Sequence, residues 1–523
     1  FQEGQTPGER AALPRELLDD GKVVVARQEE DSQLHGRLRH LPFTGAIDAY
    51  GLLGQVPYPC VSLDAGALVL DRQPALDWAA SGAMALTGDE DGPALFPGGR
   101  QTAYLRGAAL AARLLSTLLL SRNGLPPSGS GRLDGPALLG ERAALAGLHR
   151  RGRVSPGGGC HLIEAADGWV AVSLTRPEDL ELLGAWLGPE MLLDAEVDHW
   201  VGTERALRYM DAAEAVGRAQ LLGLPVAKLE TPAHAFDDEQ ARARSQSFPP
   251  SPFVIDGQPA RAGCGRIFRD MDELRLARPT RPVGSSPVVV DLSSLWAGPL
   301  ATSLLVSSGV RVLKVESHSR PDGARRGPRR FLDLLNAGKQ CVAFDFDSRP
   351  GRDRLRALIQ AADLVVDSSR PRAMECLGLA PETLLAAGAG PGGWLGITGY
   401  GRSGPWRQRA ALGDDAAVGG GAVAWTPSRQ PVLCADAYAD PVTGLHAAVA
   451  AMAQLLSRGG NLVDLAMREV VGHMLWDSPG GPEPGPVAPE PNQVRPPKAR
   501  DAQGRARPVG ADTRSVLQDL GIG

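Results

Sequence analysis

Between Val288 and Leu475 the chain alternates short apolar runs with longer amphipathic or Ala/Leu-rich stretches. Five of the runs have the length of buried strands: Val288–Leu292, Arg311–Glu316, Cys341–Phe346, Leu364–Asp367 and Trp394–Thr398. The stretches between them carry helix punctuation. Pro299 enters the first and Gly309 ends it, Ser348 with Pro350 opens the second, and Pro381 opens another. A further helix is predicted over Val442–Ser457, after Asp440-Pro441 and before Gly459. Strands that alternate with helices at this spacing predict an α/β fold with a parallel sheet covered on both faces.

The flanks follow other patterns. Residues 1–40 are polar and mixed in charge, which predicts a segment without a core. Residues 41–150 hold predicted helices at Trp78–Leu86, Leu105–Leu120 and Gly140–Leu148. The second contains Arg106 and Arg113 and is expected to be a core helix, not a membrane span. Ala79–Thr87 (AASGAMALT) echoes Val418–Thr426 (VGGGAVAWT), which suggests a degenerate partial copy, although an Ala/Gly-rich chain also produces such echoes by chance. In that copy the stretch Thr102–Gly107 holds no carboxylate. Residues 151–280 read as a smaller α+β domain. GGGCHLIEAADGWVAVSL is a glycine loop followed by a hairpin, and helices are predicted over Thr175–Leu187 and Thr203–Leu222. Arg278–Ser286 is the expected linker to the large domain at 287–475, and 476–523 is a Pro/Gly-rich tail with one short helix.

Composition narrows the function classes. At 523 residues the chain is long enough for roughly two to four domains. A net charge of -5 disfavours nucleic acid. Six cysteines without a CxxC pair argue against a disulfide framework or a zinc site, so no metal is expected and a cytoplasmic, reducing compartment is. Gly419–Gly421 follows no predicted strand, which leaves nicotinamide binding unsupported.

The candidate chemistry lies in the large domain. DLSSLWAGPLATSLLVSSGVRVLKVE, LLNAGKQCVAFDF, LVVDSSRPRAMECLGL, GITGYGRSGPW and ADPVTGLHAAVAAMAQLL occur in one register. Together they resemble the family III CoA-transferases (the CaiB/BaiF family). The resemblance implies a Rossmann-like large domain with a smaller second domain, here in permuted or fused order, and an interlocked homodimer. It also implies an acyl-CoA:carboxylate CoA-transferase that uses coenzyme A and a small carboxylic acid as substrates, with no permanently bound cofactor and no membrane partner.

Residue by residue, the resemblance makes Asp440 in ADPVTG the catalytic nucleophile, with Asp436 as the fallback. From pattern alone Asp440 is a helix N-cap, and the helix terminus is expected to keep it ionised. The loop holding Arg320, Arg325, Arg326, Arg329 and Arg330 reads either as a solvated face or as a phosphate clamp. The resemblance places CoA contacts at Arg325 or Arg326, at Lys339 and at Arg370, and a mobile glycine loop at Gly157, Gly158 and Gly159.

Two departures matter. Trp296 stands where formyl-CoA:oxalate transferases have glutamine, and Gly413-Asp414-Asp415 lacks the histidine of the racemase branch. The alternatives are an acyl-CoA racemase or isomerase of the same family, and a catalytically degenerate CoA-binding scaffold.

Overall fold

The structure is a computed structural model that describes residues 74–126, 133–188, 198–248, 250–259, 286–388, 390–457, 461–475, 478 and 491–523. The expectations for residues 1–40 and nearly all of the Arg278–Ser286 linker lie outside the described residues. The molecule is built on an eight-stranded sheet. Six of these strands are parallel: β6 (Val288–Asp291), β7 (Arg311–Ser317), β8 (Gln340–Phe344), β9 (Leu364–Asp367), β10 (Trp394–Thr398) and β13 (Leu462–Ala466). All five strands read from the sequence are present, with ends shifted by two residues or fewer. The short strands β4 (Val254–Ile255) and β5 (Gln258–Pro259) add an antiparallel edge beyond β13.

Chain order runs β6, β7, β8 toward one edge and then returns to place β9 on the other side of β6. That reversal opens a crevice at the carboxyl ends of β6 and β9, which is where open α/β sheets bind ligands. Across it the Ser294 amide donates to Ser368 Oγ at 3.1 Å.

The helix Ala439–Leu456 is buried at almost every position and lies between the sheet and two other helices, Ala297–Ser307 and Gln101–Arg122. Gly444 permits the first of these contacts, because a Cβ there would sit 2.7 Å from the Ala297 carbonyl oxygen. By length and apolarity Gln101–Arg122 could cross a bilayer, yet here it is a mostly buried core helix, with Arg106 paired to Asp77. Trp78, Leu105 and Leu115 share one apolar core with Val289, Leu300 and Leu445. The stretch 74–146 is therefore a layer on the large domain. The expected echo is not matched in conformation, since Met84–Leu86 is a 3-10 turn whereas Val423–Trp425 is the strand β11, paired with β12 (Pro431–Leu433).

The smaller sheet is antiparallel: β1 (Cys160–Ala165), β2 (Gly168–Ser173) and β3 (Val226–Lys228). Its hairpin turns at Ala166-Asp167, as the Ala-Asp-Gly signal predicts. Both helical stretches expected beside it are broken in two. Asp211 restarts the second by accepting the Ala213 and Glu214 amides, a cap that outweighs continuation of the preceding His199–Leu207 helix.

Candidate active site

Asp440 is the second residue of the Ala439–Leu456 helix, whose N-cap is Tyr438, so the N-cap expectation is corrected. Its carboxylate turns toward the start of the neighbouring helix, where the Ala297 amide favours its charged form. The approach is close. A Cβ on Gly413 would lie 2.4 Å from Asp440 Oδ2, so only glycine leaves room there. The side chain is partly accessible, while Asp436 and Asp415 are fully buried.

Three more aspartates surround it. Asp436 forms a two-bonded pair with Arg142, Nε to Oδ2 at 2.8 Å and Nη2 to Oδ1 at 2.5 Å. Asp414, partly accessible, accepts the Ala437 amide at 2.9 Å. Asp415 accepts the Ser173 hydroxyl at 2.8 Å and the Leu412 amide at 2.9 Å. Burial pushes Asp440 up to about 7, with Asp414 and Asp436 adding to it and Arg142 opposing. Burial likewise raises Asp414 to about 7, with Asp436 adding, and Asp415 to about 8. The expectation that a helix start keeps Asp440 ionised is thus reversed, because the carboxylate loses more water than one helix terminus replaces.

The loop before Asp440 is held under strain. Ala435 and Ala437 have φ of 53° and 45°, a left-handed conformation that non-glycine residues adopt at a cost of about 1–2 kcal/mol each. Residues far earlier in the chain hold it in place. Thr87 Oγ1 accepts the Ala435 amide at 3.0 Å, and the Tyr438 hydroxyl donates to Gln101 Oε1 at 2.6 Å. Arg142 completes the set through Asp436. The layer 74–146, which holds no carboxylate equivalent to Asp440 at Thr102–Gly107, supplies one wall of the site.

The glycine loop is brought to the same place. A Cβ on Gly157 would be 3.2 Å from Arg142 Nη2, and Ser155 favours the charged form of Asp414. Gly158 has a φ of +77° and its amide bonds the Ser155 carbonyl at 2.8 Å, while Gly159 packs against Thr175.

The basic candidates separate. Lys339 is 2% exposed, and its Nζ donates to Asp291 Oδ2, Pro299 O, Thr302 Oγ1 and Asn336 Oδ1 at 2.7–3.1 Å. Burial lowers it to about 8, against the pull of Asp291. This correction is steric: the ammonium lies in the core with its donors committed to protein oxygens, and the structure does not bring it to a ligand surface. Arg325 is also engaged, in an ion pair with Glu316 and in hydrogen bonds to the Arg507 carbonyl. Arg326 is exposed at the end of the Gly323–Arg326 turn.

Arg370 stands directly after β9 at the crevice, exposed. Partial burial lowers its affinity for the proton, and Arg176, Arg320 and Arg372 add to the effect. Three guanidinium groups thus act on Arg370, of which Arg176 is itself paired with Asp179. Arg142 and Arg176 carried no signal in the sequence, because each is a lone arginine in a stretch read only for its helix or turn.

The family model for CoA-transferase family III matches residues 286–499, so this segment is similar to that family. An acyl-CoA transferase of Fusarium pseudograminearum is 30% identical over 202 residues, covering 35% of this chain and 44% of that protein. A succinyl-CoA–D-citramalate CoA-transferase of Chloroflexus aurantiacus is 28% identical, over 37% of this chain and 51% of its own length. A probable CoA-transferase of Mycobacterium tuberculosis is 26% identical over 365 residues, covering 59% of this chain and 46% of that protein. The chain thus spans about half the length of the curated relatives it matches. Among solved structures, a CaiB/BaiF family protein from Brucella suis aligns with 29% identity over 36% of this chain and 54% of that one, at a TM-score of 0.33.

Proposed function

We propose that the chain transfers CoA from an acyl-CoA thioester to a carboxylic acid, with Asp440 as the nucleophile. One observation carries this reading: in the family-matched segment, Asp440 presents a partly accessible carboxylate to the Ala297 amide at the start of a second helix. A carboxylate held this way attacks the thioester carbonyl, the C–S bond breaks, and CoA leaves as the thiolate. The thiolate then attacks the Asp440 carbonyl of the resulting anhydride and releases the donor acid, leaving CoA on Asp440 as a thioester. Attack by the acceptor acid and return of the thiolate to the acceptor's carbonyl restore Asp440. The arginine cluster at Arg176, Arg320, Arg370 and Arg372 is the proposed seat of the CoA phosphates.

Asp440→Asn tests the assignment. Asn removes a charge that burial already disfavours and keeps an oxygen for the Ala297 amide, so the variant should fold and melt no lower than the parent. It cannot form the anhydride, and transfer should fall by several orders of magnitude with CoA binding intact. Transfer near the parent rate would falsify the assignment. Asp414 and Asp440, two partly accessible carboxyls both near 7, also support the second reading, proton transfer at the acyl α-carbon. Solvent deuterium entering the α-position of an acyl-CoA, with no CoA transfer to any acid, would favour that reading over the first.

A further inference from the structure

Arg142 lies outside the family-matched residues, in the short helix Glu141–Ala146. A guanidinium has five N–H donors arranged along two edges that each match a carboxylate. On Arg142 the Nε and Nη2 edge is taken by buried Asp436. Among the described residues no protein oxygen pairs with Nη1, which leaves its two N–H groups and the second one of Nη2 as an open edge. The side chain is 30% exposed, whereas that of Asp436 is 0%. The guanidinium carbon lies over the Trp296 ring, 5.4 Å from its centroid. Gly157 lies beside Nη2, where a Cβ would approach to 3.2 Å. The charge of Arg142 acts on Asp414 and Asp440 as well as on its partner.

We propose that Arg142 binds the carboxylate of the incoming acid, receiving it on the Nη1–Nη2 edge beside Asp440 while the other edge stays anchored on Asp436. The proposal rests on the reading of Asp440 as nucleophile. In the second half of the cycle an oxygen of the acid attacks the carbonyl carbon of the Asp440–CoA thioester. The C–S bond breaks, the thiolate departs with the electron pair, and the acid and Asp440 are joined as an anhydride. The thiolate then attacks the acid's carbonyl, and Asp440 leaves as a carboxylate. Before this step an anion has to enter a pocket that already holds Asp414 and Asp436, and like charges at that range oppose entry. The Arg142–Asp436 pair is neutral as a unit and still offers free donors, so it admits a carboxylate where a lone aspartate would repel one.

The test uses the full chain. Arg142→Met alone leaves Asp436 buried without a counter-charge, so the double variant R142M/D436N removes both charges together, and R142K keeps the charge without the fork. Each protein is given acyl-CoA alone, and the adduct on Asp440 is trapped with hydroxylamine and located by mass spectrometry; KM is then measured for the acid and for the acyl-CoA. R142M/D436N should still form the Asp440 adduct and raise the acid KM about 30-fold or more, the loss of a charge-assisted pair, well beyond any change in the acyl-CoA KM. R142K should fall between them. An unchanged acid KM in the double variant overturns the proposal, and so does loss of the adduct in that variant alone, which would place Arg142 in the first half-reaction. A parent that forms no adduct sinks the nucleophile reading instead, and calorimetric titration with acetate and succinate then judges Arg142 independently. Binding that survives in R142M/D436N, or no binding of either acid by the parent, overturns the arginine's role.

Discussion

At the scale of single residues, the site turns on how much water Asp440 loses. Burial pushes its carboxyl up to about 7, with Asp414 and Asp436 adding to the rise. In the proposed mechanism the anion attacks, so the rate of adduct formation should rise with pH through about 7 and level off above it. Asp414→Asn removes one of the charges that raise Asp440 and should move the rising limb to lower pH. A limb that stays in place would show that the two carboxyls do not interact. Stability runs the other way. A carboxyl raised in the folded state stabilises the fold below its unfolded value and loses that contribution as pH climbs through its folded value. Asp440→Asn should accordingly melt higher than the parent above pH 7. Asp440 was legible in the sequence because its neighbours form a contiguous motif. Arg142 was not, since it meets Asp436 across 294 positions of chain. Lys339 misled for a related reason: a sequence shows a lysine near a basic loop but not whether its ammonium ends in the core beside Asp291.

At the scale of elements, the parallel strands were legible because each is an unbroken apolar run with a helix on either side. What joins them was less so. The helix Thr513–Asp519 is readable in the tail, but its place at the sheet edge depends on two side chains. Asp512 Oδ2 accepts the Cys341 amide at 2.8 Å and Thr513 Oγ1 accepts the Ala343 amide at 3.0 Å, which occupies outward donors of the edge strand β8. Before that the tail crosses the layer 74–146. Arg500 pairs with Glu141 at 2.6 Å, and Pro497 sits where a Cβ on Gly140 would reach it at 2.6 Å. A stretch too rich in proline to build a core serves instead as a strap. Asp512→Ala leaves the Cys341 amide without its partner and frees Arg507, a loss of about 1–3 kcal/mol. Thermal melting should show that drop with the Asp440 adduct still formed, and an unchanged melting temperature would show that the strap does not hold the edge.

At the scale of the whole molecule, the crevice is assembled from both sheets. Arg320 follows β7 and Arg370 follows β9, both in the large domain, whereas Arg176 caps the helix Pro177–Glu181 that follows β2 of the small sheet. The two parts meet here: Arg176 Nη2 donates to the Gly223 carbonyl at 3.3 Å, and a Cβ on Gly223 would lie 3.4 Å from Arg370 Nη1. The ligand proposed for this cluster, CoA, carries a 3′-phosphate and a pyrophosphate, and such a polyanion would relieve the repulsion that Arg320, Arg372 and the Asp179-paired Arg176 exert on Arg370. The sequence pointed to Arg370 and, through the basic loop, to Arg320; Arg176 follows only from the docking of one sheet on the other. CoA should therefore bind more tightly than dephospho-CoA, and its affinity should fall as salt rises. Arg370→Ala and Arg176→Ala should each weaken CoA about tenfold and narrow the gap to dephospho-CoA, a loss of about 1.4 kcal/mol apiece. Arg325→Ala, whose guanidinium is held by Glu316, should leave CoA affinity nearly unchanged. If Arg325→Ala weakened CoA while Arg176→Ala did not, the phosphates would belong on the loop after β7 alone, and the small sheet would have no part in holding the coenzyme.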